Sequence, residues 1–127
     1  MRITMRGRGV EVSEDLRDHA ARRIGFALDR FAPEVTAVDV LLHDPNGPRG
    51  GIDKRCQVTV RGRRGWEVRA GVDATDVFRA TDGAVDRVAR AVVRALERRA
   101  EFRDRASAAE VADRVRPPSG HRGSQER

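Results

Sequence analysis

Four arginines, Arg87, Arg90, Arg94 and Arg98, recur at steps of three and four residues. A guanidinium group stays charged and presents a planar fork of N–H donors that matches phosphate oxygens. A row of them on one side of a helix therefore has the chemistry of a polyanion clamp. Arg99, Arg103 and Arg105 extend the row, and Asp86, Glu97, Glu101 and Asp104 offset it only in part. The bland account is a solvated face with intrahelical ion pairs such as Asp86 with Arg90 and Arg94 with Glu97, each worth only a few tenths of a kcal/mol. With no tyrosine and 4% aromatics, little exposed ring surface is expected for base stacking. The contact predicted is with the backbone and shape of double-helical RNA.

Other reactive side chains do not assemble into a catalytic or metal site. His19, His43 and His121 fall on a helix, at a strand end and in the tail, with no ligand spacing between them. Asp82 and Asp86 are one helical turn apart, but Arg79 and Arg90 flank them, which predicts a charge ladder and not an acid–base pair. Cys56 shares the parity of Val58 and Val60 and reads as a buried, inert thiol. Gly7-Arg8-Gly9 and the Gly47 to Gly51 stretch lack the rest of any nucleotide-binding fingerprint and read as turns. Ser13 reads as a helix cap. No enzyme, cofactor, metal or small-molecule substrate is expected.

The elements that must carry these residues follow from periodicity. Ile3 and Met5 alternate with Thr4 and Arg6, predicting a strand over residues 2 to 8. Ser13 opens a helix over about 14 to 31, with Leu16, Ala20, Ile24, Ala27, Leu28 and Phe31 as its apolar stripe, Arg22 and Arg23 outside it, and Pro33 as its stop. Val38, Val40 and Leu42 alternate in a second strand over residues 35 to 43, closed by the turn Asp44-Pro45-Asn46-Gly47-Pro48 and a loop through Gly51. Cys56, Val58 and Val60 mark a third strand. Gly62-Arg63-Arg64-Gly65 connects it to a fourth on which Trp66, Val68, Ala70 and Val72 alternate. Seven basic and two acidic residues lie between Arg49 and Arg69, so positive charge is expected to gather on this hairpin.

The organising element is a long amphipathic helix from Asp73, its expected N-cap, to about Arg105. Val77, Thr81, Ala84, Val85, Val88, Val92, Ala95 and Leu96 form its buried stripe. At about 1.5 Å per residue it would approach 50 Å, against about 27 Å for an eight-residue strand, so its arginine-rich half is expected to overhang the core. Residues 1–105 then form one domain and residues 106–127, ending in Pro117-Pro118-Ser119-Gly120 and polar residues, a flexible tail.

The whole composition agrees with a polyanionic partner. Among 127 residues the formal charge is +6, from 26 Lys+Arg against 20 Asp+Glu. A lone cysteine allows no internal disulfide, and no apolar run spans a bilayer or resembles a signal peptide, so a cytoplasmic location without a membrane anchor is expected.

In order and spacing, several words resemble the ribosome hibernation-promoting factor and ribosome-associated inhibitor A family. They are Ile3-Thr4-Met5-Arg6-Gly7-Arg8, Val10-Glu11-Val12-Ser13-Glu14-Asp15-Leu16-Arg17, Arg22-Arg23, Asp76-Val77-Phe78 with Asp82, and Ala84-Val85-Asp86-Arg87. His43-Asp44-Pro45-Asn46 and Asp53-Lys54-Arg55-Cys56-Gln57-Val58 resemble its long-form members. The resemblance implies an α+β fold, β-α-β-β-β-α, with two helices on one face of a four-stranded sheet, as in double-stranded-RNA-binding domains. It also implies binding to small-subunit ribosomal RNA in the channel of messenger and transfer RNA, which blocks translation in idle, stressed bacterial cells. Arg22 and Arg23 match the basic pair of the family's first helix, and Arg87, Arg90, Arg94 and Arg98 match basic positions of its second.

Gly25, Phe26, Val93 and Leu96 depart from that pattern, standing where the family is charged or basic, and Arg79 and Thr81 interrupt its small-apolar run. The second domain by which long members join two ribosomes is not in this sequence, so ribosome dimerisation by that route is not expected. The departures define a rival: a protein-interaction or homodimerisation domain of the same fold, with Phe26, Val93 and Leu96 as its contact patch.

Overall fold

A computed structural model of the chain describes residues 1–45 and 53–115; the loop expected through Gly51 falls largely outside the described residues, as does the tail from residue 116. The chain divides into two compact units, Met1–Ala95 and Leu96–Arg127.

In the first unit, β1 (Arg2–Arg8) leads through α1 (Glu14–Leu28) and a 3₁₀ segment (Asp29–Glu34) to β2 (Val35–His43), β3 (Lys54–Gly62), β4 (Glu67–Ala74) and the start of α2 (Val77–Val115). The fold is α+β, and the four strands lie in sequence order. β1 pairs parallel with β2, which requires a crossover, and α1 supplies it. β2–β3 and β3–β4 are antiparallel, with Val38 opposite Val60 and Val58 opposite Ala70.

Alternation sorts the sheet into two faces. Val38, Val40, Leu42, Cys56, Val58 and Val60 are fully buried under the helices, where Leu16, Ala20, Ile24 and Leu28 of α1 and Ala84, Val85, Val88 and Val92 of α2 complete the core. Gly83 lets α2 lie close on β4, since a Cβ there would stand 3.0 Å from a methyl of Val72. The opposite face is polar, with Asp39 and Arg61 paired across β2 and β3 and Arg61 reaching Glu67 of β4 at 3.3 Å.

Several boundaries differ from expectation. α1 ends at Leu28, not near residue 31, because the turns before Pro33 tighten to 3₁₀ geometry. Asp73 does not cap α2: it lies in β4, 2.9 Å from Nη1 of Arg55, and the cap is Asp76, whose carboxylate accepts the Phe78 N–H at 3.2 Å. α2 also continues past Arg105 to Val115 through alanine-rich sequence of high helix propensity. Ile3 and Met5 share one face of edge strand β1, yet Ile3 is 37% exposed while Met5 is buried.

Candidate nucleic-acid interface

Helix α2 carries Arg87, Arg90 and Arg94 on one exposed side because Val85, Val88 and Val92 turn the other side into the core. The three guanidinium groups line a hollow of about 380 Å³ against β4, whose Arg69, Ala70 and Gly71 form its opposite wall. Among the described residues, no carboxylate lines this hollow. The intrahelical pairs that would have neutralised the stripe do not form: Asp86 turns to Arg23 of α1 at 3.1 Å, and Arg87, Arg90 and Arg94 make no ion pair among the described residues.

The acidic residues of α2 instead join the two helices. Oδ1 of Asp82 lies 2.6 Å from Nε2 of His19 and 3.3 Å from Nε of Arg23, and the His19 ring stands edge-on to Phe78 with centroids 5.1 Å apart. Asp82 and Asp86 are therefore held by α1, not by the Arg79 and Arg90 ladder expected within α2. Sequence spacing cannot reveal this, because the partners are 63 residues apart.

The two basic residues of α1 differ in circumstance. Arg22 is exposed and has no partner among the described residues, whereas Arg23 is tied to Asp82 and Asp86. Arg98 is exposed on α2 within the second unit. The hairpin, expected to hold free positive charge, spends most of it in pairs: Lys54 with Asp44, Arg55 with Asp73, Arg61 with Asp39 and Glu67, and Arg69 with Glu67. Arg63 donates to the Pro33 carbonyl at 2.5 Å. Of these, Arg69 alone also lines the α2 hollow, a placement of which its strand position gives no sign.

Little exposed aromatic surface is expected from the composition, yet the Phe26 ring is 92% exposed and Phe102, in the second unit, 68%. Phe26 lines a second, open hollow of about 890 Å³ with Arg22, Arg23, Gly25, Asp29 and Arg30. Val93, half-buried, is not part of it, and Leu96 is half-buried in the second unit. Burial pushes the Cys56 thiol up to about 11, against weaker opposing effects of a hydrogen bond with Thr81 and the charge of Arg55. No group of three or more His, Cys, Asp or Glu among the described residues could hold a metal, and no described helix is long and apolar enough to cross a membrane.

Residues 3–100 match the family model described as Sigma 54 modulation protein / S30EA ribosomal protein. Over 84 residues the chain is 30% identical to the chloroplastic ribosome-binding factor PSRP1 of Spinacia oleracea; the match takes in 65% of this chain and 28% of that much longer protein. The Protein Y N-terminal domain of Thermus thermophilus superposes with a TM-score of 0.61 at 26% identity, over 74% of this chain and 98% of that one. A ribosomal subunit interface protein from Coxiella burnetii shares the fold, with a TM-score of 0.64 at 17% identity over 76% of this chain and 99% of that one.

Proposed function

Because the chain belongs to the Sigma 54 modulation protein / S30EA ribosomal protein family, whose members are ribosome-associated and not enzymes, we propose that it binds small-subunit ribosomal RNA in the channel of messenger and transfer RNA and blocks translation by occupancy. The observation that carries this reading is the cluster of Arg87, Arg90 and Arg94 around one hollow without a carboxylate among its described lining. Three guanidinium groups that make no ion pair among the described residues repel one another in the free protein. A phosphate backbone relieves that repulsion and supplies oxygens for paired N–H donors.

Arg69 borders the same hollow, and Arg22 offers an exposed cation on α1. Arg23 serves the interface from a position fixed by Asp82 and Asp86, and Arg98 adds an exposed cation in its own unit. No step of bond making or breaking is involved; inhibition follows from filling space that messenger and transfer RNA need. The name of the spinach relative, a ribosome-binding factor, supports a ribosomal partner for this family.

The test is co-sedimentation of the purified chain with vacant ribosomes and isolated small subunits across a salt series, beside a variant with Arg87, Arg90, Arg94 and Arg98 replaced by alanine. Saturable binding to the small subunit that weakens steeply with salt and is lost in the variant is expected, together with inhibition of translation in a cell-free system by the parent chain alone. Absence of binding by the parent even at low salt would overturn the reading.

A further inference from the structure

Phe26 has no role in the packing of α1. The helix buries Leu16, Ala20, Ile24 and Leu28, and Phe26 stands off that stripe with 92% of its surface in water. Its neighbour Gly25 is also unexplained by packing, since a Cβ there would meet nothing within 4 Å. Glycine inside a helix costs stability.

Arg22, Phe26 and Arg30 follow at four-residue steps and line the same hollow. Arg22 is free of partners among the described residues, and the Arg30 guanidinium lies 4.7 Å above the Phe31 ring with no carboxylate attached among those residues. No second large apolar side chain among them lines the hollow, so it lacks the clustered apolar anchors of a protein-binding hot spot. An exposed ring between two cations is instead what a single-stranded nucleic acid requires: a π-face for a base and charge for the phosphates on either side. Asp29, a carboxylate of the lining, is an acceptor suited to a ribose 2′-hydroxyl.

We propose that Phe26 is a stacking platform for one unpaired base of a single-stranded RNA segment, with Arg22 and Arg30 holding the flanking phosphates. The inference rests on the RNA-binding reading above and deepens it. The α2 hollow, whose described lining contains no aromatic residue, meets backbone alone, whereas the α1 hollow selects a splayed-out nucleotide.

The test measures binding of the full chain to a fluorescently labelled single-stranded RNA of about eight nucleotides and to a duplex of about 16 base pairs. Phe26→Ala should weaken single-strand binding by about 5- to 100-fold and leave duplex binding unchanged. Phe26→Trp should retain single-strand affinity, and its new indole should be quenched on saturation above the steady background of buried Trp66. Equal single-strand affinity of parent and Phe26→Ala, or an unquenched indole in a saturated Phe26→Trp complex, would overturn the proposal. So would a parent dimer in sedimentation analysis that Phe26→Ala converts to monomer. Parallel sedimentation with small subunits separates the two readings: retained subunit binding by Phe26→Ala beside unchanged single-strand affinity removes only the stacking site, whereas failure of the parent to bind subunits removes the wider function.

Discussion

Arg23 reaches from α1 to Asp82 and Asp86 of α2, while Arg22, one position earlier, stands exposed without a partner among the described residues. Their replacements should therefore separate. Arg22→Ala is expected to leave the unfolding midpoint unchanged and to weaken small-subunit binding severalfold. Arg23→Ala should lower stability too, by no more than about 1 kcal/mol because the pair is more than one-third exposed, and a urea titration of both variants checks this. Cys56 yields a second residue-scale expectation. With its thiol raised from 9.0 to about 11, the thiolate fraction near pH 8 is about 100-fold below that of an ordinary cysteine. Reaction with a disulfide reagent should be at least that much slower in the native chain and become fast in urea. The linkage sign follows: because the folded value lies above the unfolded one, the stability associated with a neutral Cys56 is complete below pH 9 and is lost as the pH rises toward 11. The stability difference between the parent and Cys56→Ala should shift against the parent across that window.

At the scale of elements, the two ends of α2 show what local sequence can and cannot decide. Asp73 and Asp76 are both good caps by type, and the choice between them depends on β4 pairing Arg55 with Asp73 across the sheet, a tertiary fact. Asp76→Ala should cost about 1 kcal/mol by orphaning the Phe78 N–H, whereas Asp73→Ala, losing only an exposed pair, should cost less than about 0.5 kcal/mol, and thermal unfolding of the two variants distinguishes them. Strands are legible in the sequence because period-two alternation survives in Val38, Val40 and Leu42 and in Cys56, Val58 and Val60, which the helices cover. The apolar stripes of both helices are legible for the same reason. What periodicity cannot supply is the destination of each charge. Asp86 has Arg90 four residues along its own helix, yet pairs with Arg23 on the other; Arg69, paired with Glu67, gives no local sign that β4 sets it beside α2. Phe26 is visible in the sequence only as a departure from the family's charged pattern. An aromatic residue on a helix is ordinarily core, and only the packed fold shows this ring in water beside Arg22 and Arg30, in a hollow that Val93 does not line.

For the molecule as a whole, a formal charge of +6 is a poor guide to where a polyanion would bind, because it does not distinguish paired arginines from unpaired ones. On the outer face of the sheet, β3 and β4 pair Arg55, Arg61 and Arg69 with Asp73, Asp39 and Glu67, whereas the exposed Arg2, Arg6 and Arg8 of β1 make no ion pair among the described residues. Of the first unit's arginines that lack an ion pair among the described residues, Arg87, Arg90 and Arg94 gather around one hollow and Arg22 and Arg30 around another. The same number of arginines should therefore matter very differently by location. Replacing Arg87, Arg90 and Arg94 by alanine should reduce the steepness of the log–log dependence of small-subunit affinity on salt by about 2 to 3, close to one unit for each phosphate that no longer meets a guanidinium. Replacing Arg55, Arg61 and Arg69 should change that slope by less than about 1, with Arg69 as the one contributor, and should lower stability instead by unpairing carboxylates on the sheet. Both triple variants lose three positive charges. A mechanism driven by net charge alone would give them equal slopes, so unequal slopes with opposite rankings in stability are what a localised phosphate clamp demands.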